Sequence, residues 1–241
     1  MRHVLHTAMR GLFAIRTADG NLMDIREDFQ RARSEQQKAA RRQEILDAAE
    51  GLLLEAGIRA FTVSAVAARA GVSKSTIFLY FTNKEDLLLE IYTRAFCMIM
   101  ERVSQSLVPG MSGRAFCETF IDCALAHPAM LVLRSQLAHL IERKVTKDRM
   151  IFSKQEILHC GLAVAAQIEQ VLALEDGKGL RILMTLINLM AGANQADAQA
   201  YVDLDTMPEG LSKLIRVADT RTVFLSGAEF VFCGATGRPF D

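Results

Sequence analysis

Four consecutive polar residues, Ser73, Lys74, Ser75 and Thr76, stand between Gly71-Val72 and the apolar run that starts at Ile77-Phe78. Hydroxyls and an ammonium at successive positions suit contact with phosphate oxygens and base edges better than they suit bond-breaking chemistry. Ser73 is placed to cap a short helix, its side-chain oxygen satisfying the amide of Thr76. Lys74, Lys84, Arg41 and Arg42 can supply the salt-dependent, sequence-blind attraction to a polyanion. Ser75 and Thr76 are the better candidates for direct contact with bases. Taken singly, each of these residues is equally consistent with a solvated or capping role.

Such side chains act only if neighbouring elements hold them outward. Between residues 33 and 56 the apolar positions Ile45, Ala48, Ala49, Leu52 and Leu53 recur at helical spacing, and Gly57 follows where a C-terminal cap is expected. Thr62 is the expected N-cap of a second helix ending at Gly71, and Ser73 opens a third. A fourth starts near Asn83, with Glu85 and Asp86 opposing the macrodipole, and stops at Pro109-Gly110. The second and third helices have helix-turn-helix spacing. Counting Val63 as first, small Ala67 is fifth, Gly71 is ninth for the φ > 0 turn, and apolar Ile77 is fifteenth as the anchor. Val66, Ala70, Val72 and Tyr80 fall on the buried faces. Further helical segments span roughly 112–126, 128–141, 146–174, 176–200 and 207–229, with Pro128 suited to a first turn. The fold class is therefore all-α.

The 241 residues are 51% hydrophobic and 23% charged, enough apolar material for one or two cores. Apolar runs are broken by charge before the roughly 18 residues that a membrane span needs. The net charge is zero, but residues 31–84 carry nine basic against five acidic side chains, a net of +4. Residues 1–30 balance, so the remainder carries −4, an arrangement expected when one end meets phosphate. The first 36 residues lack the apolar core of a secretory signal. They read as an extra amphipathic helix or a disordered leader, with Met23 an alternative start, in preference to a transit peptide. Five cysteines without CxxC spacing argue against a zinc ribbon or disulfide framework and for a reducing cytoplasm. No metal site or cofactor is expected. HExxH, GxSxG, Walker and GxGxxG motifs are all missing, so an enzyme is not expected.

The span 41–88 resembles the N-terminal domain of the tetracycline-repressor (TetR) family of transcriptional regulators. The shared features are I-L-x-A-A at 45–49, Ala56-Gly57, T-V-x-x-V-A at 62–67, AGVSKST at 70–76, Tyr80-Phe81 and N-K-E-D-L at 83–87. The resemblance implies a three-helix helix-turn-helix DNA-binding domain followed by a helical ligand-binding and dimerisation domain. It also implies a homodimer reading a palindromic operator in double-stranded DNA, with a small-molecule effector and no membrane partner, in the bacterial cytoplasm at the nucleoid. Thr62, Lys74 to Thr76 and Lys84 match family positions that touch DNA backbone, and Tyr80 matches a tyrosine able to reach phosphate. Phe78 and Leu79 depart from the usual Tyr-His pair. The two consequences left open are weaker binding and a contact of Phe78 with a thymine methyl. The expected interface is thus Arg41, Arg42, Thr62, Ser73, Lys74, Ser75, Thr76, Phe78, Leu79, Tyr80 and Lys84.

These readings divide the chain into an extension (1–36), a DNA-binding domain (37–97), a regulatory and dimerisation domain (98–230) and a loosely held tail (231–241). Phe96, Met100, Phe116, Phe120, Met130 and Leu137 form a soft stripe that is ordinarily core; the resemblance raises the case for a ligand cavity. Glu118, Asp122, Arg134, His139 and Glu142 are available to orient a polar ligand, with no choice among them. Leu183, Leu186, Leu189 and Met190 cluster on one helical face and, with Leu211 and Ile215, are assigned to dimerisation by analogy. Two rival readings are an effector-independent architectural protein and a thiol redox sensor using Cys117 and Cys123. The second is weakened because residues six apart face away from one another on a helix.

Overall fold

The computed structural model describes residues 14–16, 22–137, 141–197, 208, 210 and 219–241. Two short strands, β1 (Ala14–Arg16) and β2 (Leu22–Asp24), pair antiparallel with Ile15 opposite Met23. This hairpin stands where a helical or unordered leader was expected. The sequence between the strands contains Asp19-Gly20, a dipeptide favoured in hairpin turns. The other regular elements among the described residues are helices, and no single one is long and apolar enough to cross a membrane.

Helix α1 (Ile25–Ala60) is a long element whose regular backbone breaks at Gly57, with φ of 73°. The boundary expected at residues 36–37 falls inside it. Its buried stripe is Ile45, Leu46, Ala49 and Leu53. Helix α2 (Val63–Arg69) is capped by Thr62, whose Oγ1 accepts from the Ala65 amide at 3.1 Å. Gly71 takes φ of 64°, a conformation costly for residues with a Cβ, and the Val72 amide then donates to the Ala67 carbonyl at 3.0 Å. Helix α3 (Lys74–Phe78) follows at once, anchored by Ile77, which is 1% exposed.

Helix α4 (Lys84–Ser106) is the spine of the molecule. Asn83 caps it by accepting from the Asp86 amide at 2.8 Å. Because its apolar residues occupy nearly its whole circumference, from Leu87 through Val103, it must be surrounded. Helices α1, α5 (Gly113–Leu125), α6 (Pro128–Arg134) and α7 (Lys147–Val171) pack around it. Helix α6 ends at Arg134, short of the expected 141. Helices α8 (Lys178–Asp197) and α9 (Thr220–Thr236) pair against each other, and Gly227 lets them approach so closely that a Cβ there would lie 2.7 Å from Leu189.

Several expectations need correction. The C-terminal segment is not a loose tail. Helix α9 continues to Thr236, Arg238 donates to the Leu172 and Ala173 carbonyls at 2.6 and 2.8 Å, and Phe240 is buried against Phe232. Apolar residues recurring at Phe224, Phe232 and Phe240 outweigh the local glycines. Leu183, Leu186 and Met190 are 0% exposed within one protomer and Leu189 is half-buried, so this face packs inward and cannot form an outer seam. The outward strip of α8 is Arg181, Met184, Thr185 and Asn188. Leu211 and Ile215 lie outside the described residues. Cys97 and Cys160 are joined as a single disulfide between α4 and α7, in a chain whose cysteine spacing argued against a disulfide framework. They sit 63 positions apart in sequence, and only helix packing brings their Cα atoms within 5.6 Å.

Candidate nucleic-acid interface and effector cavity

The first candidate site is the outer face of α3. Ser73 Oγ accepts from the Thr76 amide at 3.1 Å and lies 2.7 Å from Ser75 Oγ and 2.8 Å from Thr76 Oγ1. Three hydroxyls thus gather at the start of the helix. Lys74 is exposed, with its ammonium 5.9 Å from the centre of the Phe78 ring. Phe78 is 48% and Leu79 is 81% exposed, unusual for large apolar side chains on a surface. Ile77 points the opposite way into the core, so one short helix separates anchor from outer face.

The flanks bring further groups alongside. An open groove of about 540 Å³ is lined by Glu35, Lys38, Ala39 and Arg42 of α1 together with Leu79 and Tyr80. Lys38 was missed in the sequence reading because nothing in its own neighbourhood marks it; only the packing of α1 beside the end of α3 does. Arg41 pairs with Glu44 at 2.7 Å on the surface. Arg42 is held more firmly than a free arm, pairing with Glu90 at 2.8 Å and stacking over the Phe81 ring at 5.0 Å. Thr62 is exposed as a cap. Lys84, at the start of α4, shares a shallow depression with Arg59 and Lys144. Among the described residues Lys74 and Lys84 have no ion-pair partner, which leaves both charges available to phosphate.

The chain matches, in series, the family model for bacterial regulatory proteins of the tetR family over residues 45–91 and the tetracyclin repressor-like C-terminal domain over residues 93–201. The chain belongs to the TetR family. Its curated relatives include the fatty acid metabolism regulator protein of Bacillus subtilis (strain 168), 37% identical over 71 residues, which are 30% of this chain and 37% of that protein. Another is the HTH-type transcriptional repressor KstR2 of Rhodococcus jostii (strain RHA1), 28% identical over 109 residues, 43% of this chain and 53% of the relative. The matches thus span about a third to half of those relatives. The crystal structure of Thermus thermophilus FadR, a TetR family transcriptional repressor in complex with lauroyl-CoA, is similar with a TM-score of 0.54 and 19% identity. That likeness covers 80% of this chain and 94% of that one, and it speaks to the fold.

This TetR-family chain has its second candidate site in the C-terminal half. A cavity of about 390 Å³, within the range of small-molecule sites, lies between α4, α7 and α8. Of the residues expected to line it, Phe96 and Leu137 do. Met100, Phe116, Phe120 and Met130 are instead buried core, and Phe120 stacks on Phe224 of α9. Sequence could not separate these sets because both have helical spacing; the packing of α7 on α4 makes the distinction. Leu183, assigned above to dimerisation, is part of the cavity wall. Of the polar candidates, Arg134 and Glu142 line it, whereas Glu118 pairs with Arg114 at 3.1 Å and Asp122 with Arg221. His139 lies outside the described residues.

Between the two sites runs a chain of ion pairs. Arg149 of α7 donates to Asp86 at 2.8 Å and to Glu90 at 2.5 Å, and Glu90 also holds Arg42 of α1. Burial pushes the Glu90 carboxyl up, but the Arg42 and Arg149 guanidiniums outweigh it and hold the group below its ordinary value. Asp86 also accepts from the Thr82 amide at 2.9 Å, which ties the connection between α3 and α4 to the same network. Cys117 and Cys123, the thiol pair considered above, are both buried, and burial pushes the Cys117 thiol up to about 12. Such a thiol is a poor nucleophile at neutral pH.

Proposed function

We propose that this protein is a DNA-binding transcriptional repressor, acting as a homodimer on a palindromic operator and released by a small molecule bound between α4, α7 and α8. The observation that carries the reading is the outer face of α3. A capped helix exposes Lys74, Ser75 and Leu79 on one side and buries Ile77 on the other, the arrangement that lets a helix enter a major groove. Thr62, Thr76, Tyr80 and Lys84 border that face, and Lys38 and Arg42 extend it along a groove. We assign DNA binding to residues 37–97 and effector binding and dimerisation to 98–230, with cytoplasmic, nucleoid-associated action. The outward faces of α8 and α9, where Phe230 is 80% exposed, are the proposed seam between subunits. The ion pairs Arg149–Glu90–Arg42 give the effector a route to the DNA-binding helices.

Selection of genomic fragments with the purified full chain, followed by gel retardation at two salt concentrations, tests this. A selected palindrome retarded more strongly at low salt is the expected result. Failure to retard any duplex in dilute buffer, or a monomer at micromolar concentration, would defeat it.

One observation favours a second reading. The Cys97–Cys160 bond joins two walls of the cavity, since Phe96 and Gly161 beside these cysteines line it. Both cysteines are half-exposed, and thiol control of the same cavity follows if they cycle in the cell.

A further inference from the structure

The cavity is an aliphatic chamber with one charged end. Its apolar wall includes Leu89, Phe96, Ile157, Leu180 and Ile187. Among the described residues of its lining the ionised groups are Arg134, Glu142 and Lys154, a net of +1. Glu142 is already engaged, since the Lys154 ammonium lies 2.9 Å from it. Arg134 is differently placed. One terminal nitrogen donates to the neutral Asn188 Oδ1 at 2.7 Å, while its Nε is buried with no acceptor. No described carboxylate pairs with it. The neighbouring Tyr92 hydroxyl, pushed up by burial, stays protonated at neutral pH and lies in the field of both Arg134 and Glu142.

A buried guanidinium N–H without an acceptor is costly, and such groups in native proteins call for a partner. The planar fork of an arginine matches a carboxylate through two parallel N–H···O bonds. A cationic ligand would be repelled by the local charge, and a neutral acceptor oxygen could take a hydrogen bond from Arg134 but would leave its charge without a counter-ion. A lone guanidinium is matched by a monoanion. We propose that the effector is an amphiphilic carboxylic acid whose aliphatic body lies among α4, α7 and α8 and whose carboxylate seats on Arg134. The inference rests on the effector reading given above and adds the chemical class.

The test uses the full chain and four species, by calorimetry below micelle-forming concentration: sodium laurate, dodecan-1-ol, dodecylammonium and lauroyl-CoA. Laurate should bind at least about tenfold tighter than the alcohol of equal chain length, the effect of one charged hydrogen-bonded contact. Dodecylammonium should bind weakest. In Arg134→Gln the advantage of laurate should vanish while the affinity for dodecan-1-ol is kept, which separates loss of the contact from misfolding. Gly161→Leu, whose added side chain enters the cavity, should abolish binding of both. Equal affinity for laurate and dodecan-1-ol, or laurate binding unchanged in Arg134→Gln, would overturn the carboxylate assignment and leave the effector cavity standing. So would tighter binding of lauroyl-CoA that ignores Arg134. If no chain of any head group binds, the effector reading itself fails.

Discussion

Arg149 of α7 reaches Glu90 of α4 across 2.5 Å, and the opposite oxygen of the same carboxylate holds Arg42 of α1 at 2.8 Å. One acidic side chain therefore joins the helix that walls the cavity, through Met150 and Ser153 next to Arg149, to the helix that lines the groove beside Leu79 and Tyr80. A shift of α7 on ligand binding would alter what Glu90 can hold, and Arg42 would feel it. These contacts form a continuous chain of ion pairs between the two candidate sites.

Glu90→Gln should therefore lower stability at neutral pH by about 1–3 kcal/mol, since both arginines lose a charged partner. The sign with pH follows from the depressed carboxyl. Its contribution is fully present above the ordinary value of 4.5 and is lost as pH falls through the lower folded-state value. Thermal melts from pH 3 to 7 should show wild type converging on the variant at the acid end. A constant gap across that range would remove Glu90 from the role.

Lys84→Ala should weaken binding to every DNA sequence alike and lower the salt slope by about one, as expected for one phosphate contact. Gel retardation of operator and random duplex over a salt series measures both. A loss confined to one base position would contradict the assignment.

Leu79 is 81% exposed, so Leu79→Ala should change stability by less than about 0.5 kcal/mol. Its apolar tip, together with Phe78, stands on the proposed recognition face, and thymine methyl groups are the apolar feature of the major groove. Operator affinity should fall by about 1 kcal/mol in the variant. Replacing operator thymines with deoxyuridine should reproduce that loss in wild type and add nothing in Leu79→Ala. Unchanged affinity in both arms would place Leu79 outside the interface.

The Cys97–Cys160 bond closes a loop of 63 positions, for which chain entropy predicts stabilisation of up to about 4 kcal/mol. Reduction should lower the melting temperature by up to roughly 8–16 °C. Cys97→Ser should melt like reduced wild type and ignore reductant. Identical melts with and without reductant would show that the bond contributes nothing in solution.

Much of this molecule is written locally in its sequence. Thr62, Ser73 and Asn83 cap the three helices they precede, Gly71 turns with positive φ and Ile77 anchors, because each depends only on residues within a few positions. What sequence could not decide was which helical faces meet. Phe96 lines a cavity while Met100, one turn away, is core; Leu183 closes that cavity and is no part of an outer seam. Arg134 gains its unsatisfied nitrogen, and Cys97 its partner, only when α7 and α8 settle against α4 and α6. Helical periodicity fixes which residues share a face, but the face it packs against depends on contacts tens of residues away, and those exist only in the folded chain.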